Sequence, residues 1–219
     1  MYIEFFKYIN MIEIILYTII SLHRPYYYND KIHNFGNIGW KGRIHAEISP
    51  FATKFIDHRC YNGRNIRNEI MLPYKNKRIL DFCCGTGIST INNNQAIGID
   101  TSFEMLNIAK RNHENAQFYF GNAENYTPPY MIDIVSCMFA FHEIPLYAQK
   151  NIIINAINIA KEKIIIVDIS PNYKPSKTML TGEPYILEYL SNIQGLLDKY
   201  NFEEYEYIKE HVNIWTLSK

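Results

Sequence analysis

The chain is expected to fold as an α/β domain around a mostly parallel sheet, and three observations lead there. From Lys77 onward, apolar runs of strand length alternate with helical patterns, which is the sequence form of βαβ units. One run, Ile164-Ile165-Ile166-Val167, is unbroken and β-branched, as suits a central strand covered on both faces. A length of 219 residues suits one such domain with an appendage, and 47% hydrophobic against 20% charged residues supplies a core without the depletion that marks disorder.

In chain order, Met1 to Leu22 comes first. Glu4, Lys7, Asn10 and Glu13 interrupt it at helical spacing, and the charge-free stretch Ile14 to Leu22 is too short to cross a bilayer. An amphipathic helix is expected, with Phe5, Ile9, Ile12, Ile15 and Ile19 on its apolar face. It should pack on the protein itself rather than on a membrane, because its polar stripe lacks the Lys and Arg of interfacial helices. The segment has neither the basic start and cleavage site of a signal peptide nor the Arg-rich, acid-poor composition of a transit peptide, so a cytoplasmic location is expected. Residues up to 76 carry scattered Gly, Tyr and His with no strand pattern, and are expected as loops and short helices capping the carboxyl end of the sheet. Strands are expected at Arg78–Phe82, Ala96–Ile99, Phe118–Phe120, Ile132–Phe139 and Ile164–Ile169. Helices should lie just after Gly87, at Ser102–Arg111 with Ser102 as N-cap, at Pro145–Ala160, and at Glu183–Lys199 with Pro184 in its first turn. Alternation in Phe202–Lys219 predicts an antiparallel hairpin at the sheet edge. The expected division is a cap at 1–76 and a main domain at 77–219.

Charge balances at 22 basic against 22 acidic residues, so no net field draws in nucleic acid. Cys60, Cys83, Cys84 and Cys137 are too few and too irregularly spaced for a disulfide scaffold. No paired C-x-x-C motif or nearby His points to a structural metal, so none is expected.

The most informative stretch is Asp81-Phe82-Cys83-Cys84-Gly85-Thr86-Gly87, where a strand runs into a tight turn and offers backbone N–H groups at its carboxyl end. Thr90 stands where the dinucleotide fingerprint requires Gly or Ala, so no pyrophosphate cradle is present. The next strand ends in Asp100, a carboxylate placed to accept both hydroxyls of a ribose.

Together these residues resemble the class I S-adenosylmethionine-dependent methyltransferases, in register from about Lys77 to Ser170. Asp81 to Gly87 is similar to that family's first motif, with Cys83 where many members have Gly. The resemblance implies a Rossmann-like three-layer sandwich with a seven-stranded sheet, S-adenosylmethionine as cofactor, and Asp81, Gly85 and Gly87 around it. It makes Asp100 the ribose acid and puts Thr101 and Met105 in the segment that sandwiches the adenine. Gly121-Asn122-Ala123-Glu124 resembles the next motif, with Asn122 replacing the usual acid that accepts from the adenine amino group. Ile132 to Glu143, including Met138, resembles the fourth-strand motif.

His142, at the end of that strand, is the catalytic candidate, since an imidazole can take a proton from an acceptor hydroxyl or amine; the alternative is that it orients the following loop. Glu143, Asp168, His33 and Tyr26 to Tyr28 are lesser candidates. Thr127-Pro128-Pro129-Tyr130 is similar to the Pro-Pro-Tyr of amino-methylating nucleic-acid enzymes but precedes the strand it would have to follow, and reads as a rigid loop. The expected reaction is methyl transfer to a small molecule. Two alternatives are a non-catalytic S-adenosylmethionine-binding scaffold and an aminopropyltransferase, the latter thinly supported by Glu143 alone.

Overall fold

The computed structural model describes residues 25–219. The expected N-terminal amphipathic helix lies outside them. Seven strands, β1 (Ile79–Phe82), β2 (Ala96–Asp100), β3 (Gln117–Phe120), β4 (Ile132–Met138), β5 (Ala160–Ile169), β6 (Glu203–Ile208) and β7 (Val212–Ser218), form one sheet in the order β3-β2-β1-β4-β5-β7-β6. Strands β1 to β5 are parallel, and β7 runs antiparallel to both β5 and β6, which is the expected edge hairpin. The helices are α1 (Gly39–Cys60), α2 (Ile66–Met71), α3 (Phe103–Asn112), α4 (Leu146–Ile159), α5 (Lys177–Gly182) and α6 (Ile186–Asp198).

The period of two along each strand divides the core into two layers. Leu80, Val135, Cys137, Ile164, Ile166 and Trp215 face α4 and α6, where Ile152, Ile153, Tyr189 and Ile193 complete one apolar cluster. The alternate residues Ile79, Ile134, Ile165, Val167 and Ile214 face Ile66, Ile70 and Met71 of α2. On that same face α3 closes over β2 and β3 through Leu106, Ala109 and Phe118. The result is helix, sheet, helix in three layers.

Four expectations need correction. No helix follows Gly87: residues 83–95 are turns. Ser89 and Thr90 spend their hydroxyls on Asp81, at 2.8 and 2.7 Å, and Asn93 caps its own loop, so the short connection to β2 closes without a helix. The cap holds one 22-residue helix, α1, where loops and short helices were expected. Its pattern is masked because Trp40, Phe51 and Phe55 point outward and Pro50 sits inside it. Strand β5 begins at Ala160, four residues early, because Lys161 to Lys163 extend the pairing while their side chains reach solvent and Glu162 pairs with Lys77. Glu183 to Tyr185 form the joint between α5 and α6 rather than the start of a helix. Among the described residues no helix is long and apolar enough to cross a membrane.

The cap meets the sheet domain across α3. Ser102, fully buried, caps α3 by accepting from the Met105 N–H at 3.1 Å and donates its hydroxyl to the Asn37 carbonyl at 2.5 Å. Glu104 accepts from the Gly39 N–H at 2.7 Å, joining the start of α1 to the start of α3. Ser102→Ala removes both the cap and the tie, and should cost about 1–2 kcal/mol in urea unfolding.

Candidate functional site

Because β1, β2, β4 and β5 are parallel, their carboxyl ends emerge on one side, and the strand order reverses at β1, which lies between β2 and β4. Open parallel sheets bind ligands at that place. Here it opens into a cavity of about 620 Å³, bounded by the turn after β1, the ends of β2 and β4, and the cap.

The turn is set by Asp81. This carboxylate has no exposure and accepts from the hydroxyls of Ser136, Ser89 and Thr90, at 2.9, 2.8 and 2.7 Å. Burial pushes its pKa up against those three hydrogen bonds. It does not line the cavity; it locks the turn to β4. Gly87 does not line it either. At φ +80° a Cβ there would stand 3.0 Å from His113 and 3.1 Å from Ala109, so its role is to let the turn lie against α3.

Gly85 differs: at φ +52° its missing Cβ points where nothing lies within 4 Å, leaving room for a ligand against the backbone. Its N–H donates to Asp100 Oδ2 at 2.9 Å, while Asp100 Oδ1 accepts from the Ser102 N–H at 2.8 Å. Each oxygen retains a lone pair for a further donor. Burial pushes the Asp100 pKa up to about 6, held back by those N–H groups. Cys83 and Phe139, just past the ends of β1 and β4, are both left-handed, at φ 54° and 55°, and both line the cavity. Bulky residues adopt that conformation only under constraint from their surroundings.

Thr101, Met105, Asn122, Ala123 and Met138 also line the cavity, so the structure brings eight of the ten expected site residues together with His142 among them. The Asn122 amide oxygen already accepts from the Glu124 N–H at 2.9 Å. Tyr26 of the cap donates to Glu124 at 3.0 Å and closes that end.

At the opposite end the chemistry is ionic. His142 is buried and its Nδ1 lies 2.6 Å from Asp168 Oδ1. Asp168 also accepts from the N–H groups of Phe141, His142 and Ile169. Burial opposes charge on the ring, but Asp168 and then Glu143 outweigh it and raise its pKa to about 9, so it is cationic at neutral pH. His33 of the cap bridges two carboxylates, Nε2 to Glu143 at 2.8 Å and Nδ1 to Glu183 at 2.7 Å. Burial works against the charges here too; the His33 pKa is nonetheless raised, and that of Glu143 is lowered to about 2 by His33 and His142. His45 joins from α1, its ring 4.8 Å from that of His33. His45 was not singled out from the sequence; it is an isolated residue in a segment without a motif, and its approach to His33 and Glu183 comes only from the closing of the cap.

Residues 79–163 match the family model described as methyltransferase domain. No curated protein sequence matches the chain. Among solved structures, magnesium protoporphyrin IX methyltransferase from Synechocystis, with bound SAH, superposes with a TM-score of 0.51 at 14% identity, over 91% of this chain and 99% of that one. A TehB-like SAM-dependent methyltransferase from Corynebacterium glutamicum gives 0.57 at 10% identity, over 80% and 98%. The plantazolicin methyltransferase BamL, in complex with a triazolic desmethyl analogue and SAH, gives 0.52 at 18% identity, over 81% and 95%. At these identities the superpositions establish the fold, which is the Rossmann-like one of class I methyltransferases. The domain match gives residues 79–163 as a methyltransferase domain, and the superpositions give the fold that carries it.

Asp168→Asn should destabilise the protein by about 3 kcal/mol in urea unfolding at pH 7, because it leaves a buried imidazolium without its counter-ion. The folded pKa of His142 lies above the value of about 6.5 for an unfolded chain. The pair's contribution is therefore complete below about pH 6.5 and is lost as pH rises through about 9, so the difference between variant and parent should shrink over that window.

Proposed function

We propose that the protein transfers a methyl group from S-adenosylmethionine to a small-molecule acceptor held between the strand ends and the cap. The observation that carries this reading is the roof over the cavity. His33, His45 and Tyr26 of the cap line it together with Gly85, Asp100 and His142 of the strand ends, which suits an acceptor small enough to be enclosed. Balanced charge supports it, since a polyanionic acceptor would call for a basic surface. On this reading residues 77–219 hold the cofactor and residues 1–76 include the acceptor's roof.

The assignment of residues follows the geometry. Asp100 accepts the ribose hydroxyls on its remaining lone pairs, Gly85 gives close backbone approach, and Met105 with Ala123 encloses the adenine, with Asn122 at its edge and Thr101 and Met138 completing the wall. Asp81 and Gly87 serve the same site indirectly, by holding the turn. Bound S-adenosylmethionine supplies an electrophilic methyl on a sulfonium, so the chain's own task is alignment and exclusion of water. His142 stands on the acceptor side, oriented by Asp168, with Nε2 toward Glu143. Its charge at neutral pH makes it a donor that fixes the acceptor's orientation.

Asp100→Ala should weaken S-adenosylhomocysteine binding by about a hundredfold or more in calorimetry, the equivalent of two charge-assisted hydrogen bonds. In the parent protein the carboxylate is the form that accepts hydroxyls, so affinity should fall as pH drops below about 6, and this fall should be absent in Asp100→Asn. His142→Ala should lower turnover by about tenfold or more while leaving cofactor affinity within twofold; equal losses in both would place His142 in the cofactor site instead.

A further inference from the structure

The acceptor end of the cavity holds more ligating groups than its hydrogen bonds use. One ligand atom from each of His33, Glu143 and Glu183 lies within 4.8 Å of the other two. Opposite ligands of a single ion with bonds of about 2.1 Å stand about 4.2 Å apart, so a modest side-chain adjustment would seat all three. Glu183 is 6% exposed, and its Oε2 has no hydrogen-bond partner among the described residues, a cost that a buried acceptor rarely bears unless something else meets it. The neighbouring rings are braced from behind. His142 is held through Nδ1 by Asp168, leaving Nε2 free 3.9 Å from Glu143, and His45 is held through Nδ1 by the Gly36 carbonyl at 3.1 Å.

We propose that His33, Glu143 and Glu183 bind one divalent first-row transition-metal ion on the acceptor side of the cavity. Two carboxylates and an imidazole form a mixed oxygen and nitrogen set, suited to Mn²⁺, Fe²⁺, Co²⁺ or Zn²⁺ rather than to Ca²⁺, and without thiolates it does not select soft ions. The ligands come from three separate places, the cap turn, the segment after β4 and the α5–α6 joint, so the ion would also fasten the cap to the domain. The proposal rests on the methyltransferase reading for its meaning: an ion there would meet an acceptor through oxygen and lower the pKa of its hydroxyl. This narrows the acceptor to one that presents a hydroxyl.

The experiment is a titration of the chelator-treated full chain with Mn²⁺, followed by electron paramagnetic resonance, with Co²⁺ and Zn²⁺ as competitors. One equivalent should bind, and the bound Mn²⁺ should show a nitrogen coupling from an imidazole. Glu143→Gln, Glu183→Gln and His33→Gln should each weaken binding by about tenfold or more, while Glu47→Gln, an exposed partner of Arg111, should leave it unchanged. The absence of saturable binding in the parent protein, binding without nitrogen coupling, or equal binding in parent and ligand variants would each overturn the proposal. The parent-protein measurements decide it even where a variant fails to fold. S-adenosylhomocysteine calorimetry on the same samples keeps the two readings apart: cofactor binding without metal binding overturns the ion alone, and loss of cofactor binding overturns the methyltransferase reading.

Discussion

A carboxylate without solvent, Asp81, is the constraint on which the site depends. It sits on β1, beside Ser136 in the neighbouring strand β4, and gathers three hydroxyls from two directions. Desolvating a carboxylate is costly, and the cost is met only if its acceptors are filled. Filling them draws Ser89 and Thr90 back over the strand end, which bends residues 83–90 into the turn that carries Gly85. From there the Gly85 N–H reaches Asp100, so the ends of β1 and β2 are joined by a second carboxylate. This end of the cavity is thus assembled by a residue that does not line it.

Asp168 does the corresponding work on the other half. At the end of β5 it accepts three backbone N–H groups and the His142 ring, fixing the short turn after β4 to the adjacent strand. That turn carries both His142 and Glu143. Two buried acids, one on each side of the Met138 strand end, therefore hold the two halves of the cavity at a fixed spacing.

What the sequence disclosed follows from which interactions are local. Strands β1, β2, β4 and β5 were legible because strands largely buried on both faces are largely apolar, while Asn122 and Met138 came from the family resemblance; with Asp100 they lie at or just past the ends of β2, β3 and β4 and line the cavity. The helix expected after Gly87 was misread for a physical reason: the Gly-containing turn is the usual prelude to a helix, but the hydroxyls that might have capped one are used by Asp81, far away in the local pattern. Helix α1 was missed because its outward face carries Trp40, Phe51 and Phe55, which erases the contrast on which amphipathic periodicity relies. His45 and the pairing of Glu183 with His33 could not be read, since both depend on where His33 lies, and residues 33 and 34 take left-handed backbone angles to put it there.

The way the cap is attached bears on how the site is entered. Its apolar footing on α3 is small, Ala46 against Met105 and Ile108, whereas the sheet layers share large continuous clusters. Among the described residues, further ties of residues 25–60 to the rest include Ser102 to Asn37, Glu104 to Gly39, Glu47 to Arg111, Tyr26 to Glu124 and the two carboxylates on His33, whereas α2 is packed into the core through Ile66, Ile70 and Met71. Segments with few buried apolar contacts open at lower free energy than the core they rest on. The two parts are held differently: buried acids inside the sheet fix the strand ends, while α1 and the turn before it rest largely on a short list of polar contacts.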